Sequence, residues 1–193
     1  MAADRKFTPE QLRQFQDSTV PDLLAPGLKL LFVGINPGLW TAAVQAHFAR
    51  RGNRFYPALY RSGLTDRLID ASNGYAPEDL QHLHDRGLGI SNMAQRATAK
   101  ADELTPQELL AGARRLEELV GRVRPVVVAF LGITAYRVAF ELPRARTGRQ
   151  DREMHGAQVW VAPNPSGLNA HVQLPALAGS FRELGLAAGV LQA

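Results

Sequence analysis

The apolar run from Leu28 to Ile35, with Leu30-Leu31-Phe32-Val33 at its centre, most constrains the fold. Apart from Lys29, successive positions carry no polar side chain, as in a strand covered on both faces. Pro26-Gly27 supplies its entry turn. The run stops at Gly34-Ile35-Asn36-Pro37-Gly38, where a carboxamide stands between two glycines and a proline. Proline keeps Asn36 out of the helical region, and the following glycine lets the backbone come close to a ligand. Such a stop is either a turn or a place where a neutral polar group points at a reacting atom.

Other segments repeat the scheme of a buried strand followed by a helix. Pro125–Leu131 is a β-branched strand, and Gly132 opens a helix to about Phe140. Gln158–Ala162 is a strand closed by Pro163, and Gly87–Asn92 is a brief strand leaving into a loop. Thr105-Pro106-Gln107-Glu108 starts a helix to about Val120, with Leu109, Leu110, Ala113, Leu116 and Leu119 on one face. Thr8-Pro9-Glu10-Gln11 caps a short helix to about Gln16. Helical spacing also marks Asn53–Ser62, Asp66–Ala71, Pro77–His84 and Leu174–Ala188. Thr41–Arg51 is open between a helix and a long functional loop. The arginine-rich segment Pro143–Arg152 reads as a mobile loop or a β-turn connection. The expectation is an α/β fold: a single three-layer α/β/α domain over residues 1–193, with a mainly parallel central sheet and residues 1–20 as an N-terminal helical extension. Ligands in such sheets bind beyond the carboxyl ends of the strands. Those ends are GINPG at 34–38, PNPSGLN at 163–169 and GISN at 89–92.

Composition bounds the chemistry. There are no cysteines, which excludes disulfides, thiolate zinc sites, iron–sulfur clusters and cysteine nucleophiles. The five histidines are scattered, and His82 and His84 fall on different helix faces. Neither G-x-S-x-G nor H-E-x-x-H occurs. The net charge is +4, and only Lys6, Lys29 and Lys100 are lysines. Arginine suits phosphate because its guanidinium donates in a planar fork; a compositional bias toward Arg and Ala gives the same count. No run is long enough to cross a bilayer, so no membrane partner and a cytoplasmic location are expected.

GINPGLW, HFARRGNRFYPALY at 47–60, GISNMAQRAT at 89–98 and NPSGLN at 164–169 together resemble the mismatch-specific uracil/thymine DNA glycosylases, a branch of the uracil-DNA glycosylase superfamily. The resemblance runs from about Pro21 to Leu184, with the motifs in family order. It implies the fold of that superfamily and a monofunctional, cofactor-free and metal-free hydrolase. Such an enzyme flips uracil, or another damaged or mismatched pyrimidine, out of double-stranded DNA and leaves an abasic site. It also implies a bacterial, nucleoid-associated monomer.

By the same resemblance, Asn36 holds the attacking water. A weak base suffices if the glycosidic bond loosens into an oxocarbenium-like sugar before water arrives. Phe48 matches the ring that stacks on the flipped base, Ile35 a pocket wall, and Thr41 a small pocket residue whose β-branch bears on which 5-substituted pyrimidines fit. Asn164 matches the asparagine of the second motif, and Asn92 is a further contact. Gly167-Leu168-Asn169 matches the wedge that fills the gap in the duplex. Arg50, Arg51 and Arg54 are expected phosphate contacts. The chain departs from its relatives at Ala170-His171, where an arginine is common, so either recognition of the orphan base on the opposite strand is weaker or His171 takes part of that role. It departs again at Gln95, where many relatives carry an acid. A non-catalytic DNA damage-binding domain of the same fold is the alternative. A free-nucleoside hydrolase would need neither the wedge nor the arginines.

Overall fold

The computed structural model describes residues 6–167 and 172–192. Its centre is a five-stranded sheet in the order β2-β1-β3-β5-β4. Strands β1 (Leu30–Gly34), β2 (Leu88–Asn92), β3 (Val127–Leu131) and β5 (Ala157–Ala162) run parallel. Strand β4 (Gly148–Met154) is antiparallel to β5 at one edge. The α/β expectation, with a mainly parallel sheet between helices, is what the structure has.

Alternate residues of one strand feed two cores. Leu30 and Phe32 pack with Ala129, Leu131 and Ile90 against helices α3 (Phe55–Ser62) and α7 (Leu174–Ala187). Leu31 and Val33 pack with Val128 and Phe130 against α5 (Pro106–Val123) and α6 (Ile133–Ala139). All five residues of β1 are buried, which accounts for the unbroken apolar run. The remaining helices are α1 (Pro9–Arg13), α2 (Leu39–Val44) and α4 (Pro77–Asp85).

The strongest sequence signals sit where expected. Thr8 and Thr105 each form a capping box, with Gln11 and Glu108 respectively. α5 runs three residues past Val120, ending at Arg124 in the left-handed region. Two expectations differ. Asp66–Ala71 is not helical; Asp70 accepts the amide of Ser72 at 2.9 Å, a local turn that competes with helix. The arginine-rich segment is an edge strand rather than only a loop. Its alternate residues are exposed, and its charges lie where an unpaired strand edge is safest carrying them. The Thr41–Arg51 ambiguity resolves into six helical residues, α2, followed by an irregular loop.

Candidate active site

Because β1, β2, β3 and β5 are parallel, their carboxyl ends meet at one edge of the sheet. The chain passes from β1 to β2 on one side and then to β3 on the other, so the crevice beyond β1 and β3 is the switch point where α/β folds bind ligands. A cavity of about 420 Å3 occupies that crevice. Its lining includes Gly34 to Gly38, Thr41, Phe48 and Arg50, together with Asn92, Leu131 and Asn164. Sequence positions expected to act together therefore share one wall-to-wall space of ligand size.

Asn36 is half-buried and fixed in one orientation. Its Nδ2 donates to Thr98 Oγ1 at 2.7 Å, to the Arg96 carbonyl at 3.1 Å and to the Pro37 carbonyl at 3.2 Å. Thr98 passes its own hydrogen to the Lys100 carbonyl at 2.7 Å, so its oxygen must accept from Asn36. With the nitrogen so engaged, Oδ1 is the atom left to accept from a water. The loop supplying these partners is itself anchored: Arg96 pairs with Glu108 at the start of α5 and with Asp17 at 3.0 Å. The Arg96 guanidinium and the Thr105 cap hold the Glu108 carboxyl down at about 2.

Phe48 stacks on Phe55, with ring centroids 4.1 Å apart and planes inclined by 23°. Its φ of 54° is left-handed, an unfavourable state for an aromatic residue that its surroundings must impose. The neighbouring backbone of His47 is held in a closed hydrogen-bond ring. His47 N–H donates to the Tyr75 hydroxyl at 3.1 Å, and Tyr56 O–H donates to the His47 carbonyl at 2.8 Å. The two hydroxyls are 2.8 Å apart, so Tyr75 must give its hydrogen to Tyr56. Burial pushes the Tyr75 phenol up to about 12 and that of Tyr56 well above 10.0, which keeps both hydrogens in place.

The His47 side chain performs a second task. Its Nε2 lies 2.9 Å from the Pro21 carbonyl, which can only accept, so Nε2 carries the hydrogen. Burial holds its pKa below 6.5, and the neutral ring leaves Nδ1 as an acceptor. Asn92, only 4% exposed, brings Nδ2 to 3.3 Å from that atom. Its oxygen then lies over Gly34, where any Cβ would be 2.4 Å from Asn92 Oδ1 and 3.2 Å from Phe48 Cζ. Glycine at 34 is thus required by close approach.

The second motif is a turn built by its own asparagine. Asn164 Oδ1 accepts from Ser166 N at 2.9 Å while Asn164 lines the cavity. Arg54 donates from Nη2 to the Ser166 carbonyl at 2.7 Å, from Nη1 to the Val172 carbonyl, and from its backbone to Pro165 at 2.9 Å. This expected phosphate contact therefore holds Pro165, Ser166 and Val172, which flank the expected wedge. Gly167 packs so closely on residue 52 that a Cβ would meet the Gly52 carbonyl at 2.6 Å. Arg50 and Arg51 are exposed beside it. Leu168, Asn169 and His171 lie outside the described residues.

Sequence reasoning missed His47, Thr98, Lys100 and Asp102, all of which line the cavity. Thr98 sits in a block already singled out, but its role depends on a contact spanning 62 residues. Asp102 is an exposed acid among the lining residues. Among the described residues no group of three or more His, Asp or Glu could hold a metal ion, and no helix is long and apolar enough to cross a membrane.

Residues 21–183 match the uracil DNA glycosylase superfamily, and the chain belongs to it. Among solved structures it is similar to the solution NMR structure of a candidate uracil DNA glycosylase from Methanosarcina acetivorans. The TM-score is 0.57 at 18% identity, covering 87% of this chain and 98% of that one, a likeness of fold.

Proposed function

We propose that this protein is a monofunctional DNA glycosylase of the mismatch-specific branch. It hydrolyses uracil, and other damaged or mismatched pyrimidines, from double-stranded DNA after flipping the nucleotide out. The observation that carries this reading is the orientation of Asn36, whose nitrogen is tied to Thr98, Arg96 and Pro37 so that its oxygen is the atom left to accept from a water. A carboxamide held this way positions a water and takes no proton. That matches a reaction in which the C1′–N1 bond parts first, with its electron pair leaving on the uracil ring. Water oxygen then bonds to the cationic C1′ and sheds a proton to the solvent or to the departing uracil anion. Asp102, an exposed acid among the lining residues, gives the cationic sugar a counter-charge.

Phe48 presents a flat platform to the base, worth about 1–3 kcal/mol by analogy with single-strand binders. Asn92, pinned by neutral His47, offers an acceptor and a second N–H side by side, complementary to N3–H and O4 of uracil. Cytosine presents the reverse pair along that edge and meets like against like. Thr41 limits the space at one wall, Ile35 forms another, and Asn164 holds the turn beside the nucleotide. Arg50, Arg51 and His171 contact phosphates, and Gly167-Leu168-Asn169 fills the gap left in the stack.

The experiment is incubation with a U·G duplex followed by alkali, which breaks the strand at an abasic site. Wild type produces breaks, and Asn36→Ala binds the duplex while losing most cleavage. Tight binding by wild type with no breaks would make the protein a damage-binding domain. Loss of binding in step with cleavage would remove Asn36 from its water-holding role.

A further inference from the structure

A second cavity, of about 650 Å3, adjoins the first. The two share Gly38, Arg50, Ala99 and Lys100, so they form one continuous depression. Its floor is apolar, built from Phe7 and Leu12 of the N-terminal segment and Leu39 and Trp40 of α2. The aromatic floor is held in place. Trp40 Nε1 donates to the Ser72 carbonyl at 2.9 Å, and Phe7 meets the indole edge-on at 5.1 Å. The rim is cationic, with Arg13, Arg50, Arg51 and Lys100, and among the described residues no carboxylate lines the cavity.

A third cavity, of about 270 Å3, is lined by Arg50 to Asn53 and by Ser166 and Gly167. Arg50 borders all three spaces. A track therefore runs from α1, through the crevice at the switch point, to the turn that leads into the wedge segment. Basic grooves floored by aromatic rings are how proteins hold a single strand: cations follow the phosphates and rings meet bases or sugars. A duplex with one nucleotide swung out presents such a strand locally.

We propose that the groove between α1 and α2 holds the lesion-bearing strand on one side of the flipped nucleotide. Its phosphates lie along Arg13, Arg50, Arg51 and Lys100, and the adjoining nucleoside rests on Trp40. This rests on the DNA reading above and gives the N-terminal extension a task. A second copy of this chain would bring a net charge of +4 to a cationic rim, whereas a polyanion complements it.

The test uses Arg13→Glu, an exposed position that lines this groove and not the central crevice. It is made in a Trp160→Phe background, where Trp40 is the sole tryptophan. Titration with a U·G duplex changes Trp40 fluorescence saturably. Arg13→Glu weakens affinity roughly tenfold at low salt and lowers the slope of log K against log salt by about 1. The loss falls on affinity, and excision at saturating protein falls far less. Shortening the duplex on the groove side weakens wild type more than it weakens Arg13→Glu. A silent Trp40 on bound DNA, or an Arg13→Glu protein with wild-type affinity and slope, overturns the proposal. So does a dimer in sedimentation that Arg13→Glu dissolves, which would give the groove to a second copy. Arg13-dependent binding without excision keeps the groove and sinks the glycosylase reading. Excision with Arg13-independent binding does the reverse.

Discussion

Replacing Tyr75 by Phe removes one hydroxyl and opens the ring that holds the His47 backbone. The His47 N–H loses its acceptor, and Tyr56 loses the hydrogen it received. A buried donor left unpaired costs about 1–3 kcal/mol. That is the same size as the strain of a non-glycine residue in a sparsely populated backbone region, about 1–3 kcal/mol, here Phe48 at φ 54°. Once the clamp is gone, nothing in that local balance keeps Phe48 left-handed, and its ring leaves the stack on Phe55. Urea denaturation should show a loss smaller than about 1–3 kcal/mol, because relief of the Phe48 strain offsets part of it. Losing a platform worth about 1–3 kcal/mol slows single-turnover excision of uracil roughly 5- to 150-fold. Phe48→Ala alone should slow it by a similar factor, and the double variant should be little slower than either single one. A destabilised Tyr75→Phe protein that excises at the wild-type rate, or a double variant whose losses multiply, would refute the coupling between ring and platform.

Acidification should act through His47. Its folded pKa lies below 6.5, so its neutral state contributes stability that is complete above 6.5 and is lost as pH falls through the folded value. Protonation also places a hydrogen on Nδ1, against Asn92 Nδ2, and turns that carboxamide over; the pH–rate profile should fall on the acid side, and His47→Gln should flatten it. Tyr75 acts at the other extreme. Its raised folded pKa keeps its contribution intact below 10.0, and stability measured by denaturation should decline as pH rises through about 12. Gly34→Ala drives a methyl into Asn92 and Phe48; excision should fall at least as far as in Phe48→Ala, and wild-type activity in this variant would show that the two side chains need not approach. Arg54→Met unclasps residues 165–172, and excision from a duplex should suffer more than excision from a single strand; equal losses would count against the wedge.

Several parts of the fold were legible because they are local. The helix starts at Thr8 and Thr105 are set by residues within four positions. The unbroken apolar runs at β1 and β3 could be satisfied only by a sheet covered on both faces. The edge strand β4 was illegible because an edge exposed on one side has no apolar alternation to show; only Met154 among its residues is buried. Asp66–Ala71 misled because helical spacing was present while side-chain hydrogen bonds favoured a turn.

For the site, the sequence by itself determined the reactive vocabulary: strands ending in Asn36, Asn92 and Asn164, a ring at Phe48, and arginines between them. Proline and glycine around a carboxamide announce a strand end with no tertiary help. Which atom of Asn36 and of Asn92 faces the cavity was decided only by the tertiary structure. Asn36 is oriented by Thr98, Asn92 by the tautomer of His47, and that tautomer by the Pro21 carbonyl, partners 26 to 62 residues apart in the chain. An amide has two nearly isosteric ends, and only the donors and acceptors that folding brings around it distinguish them.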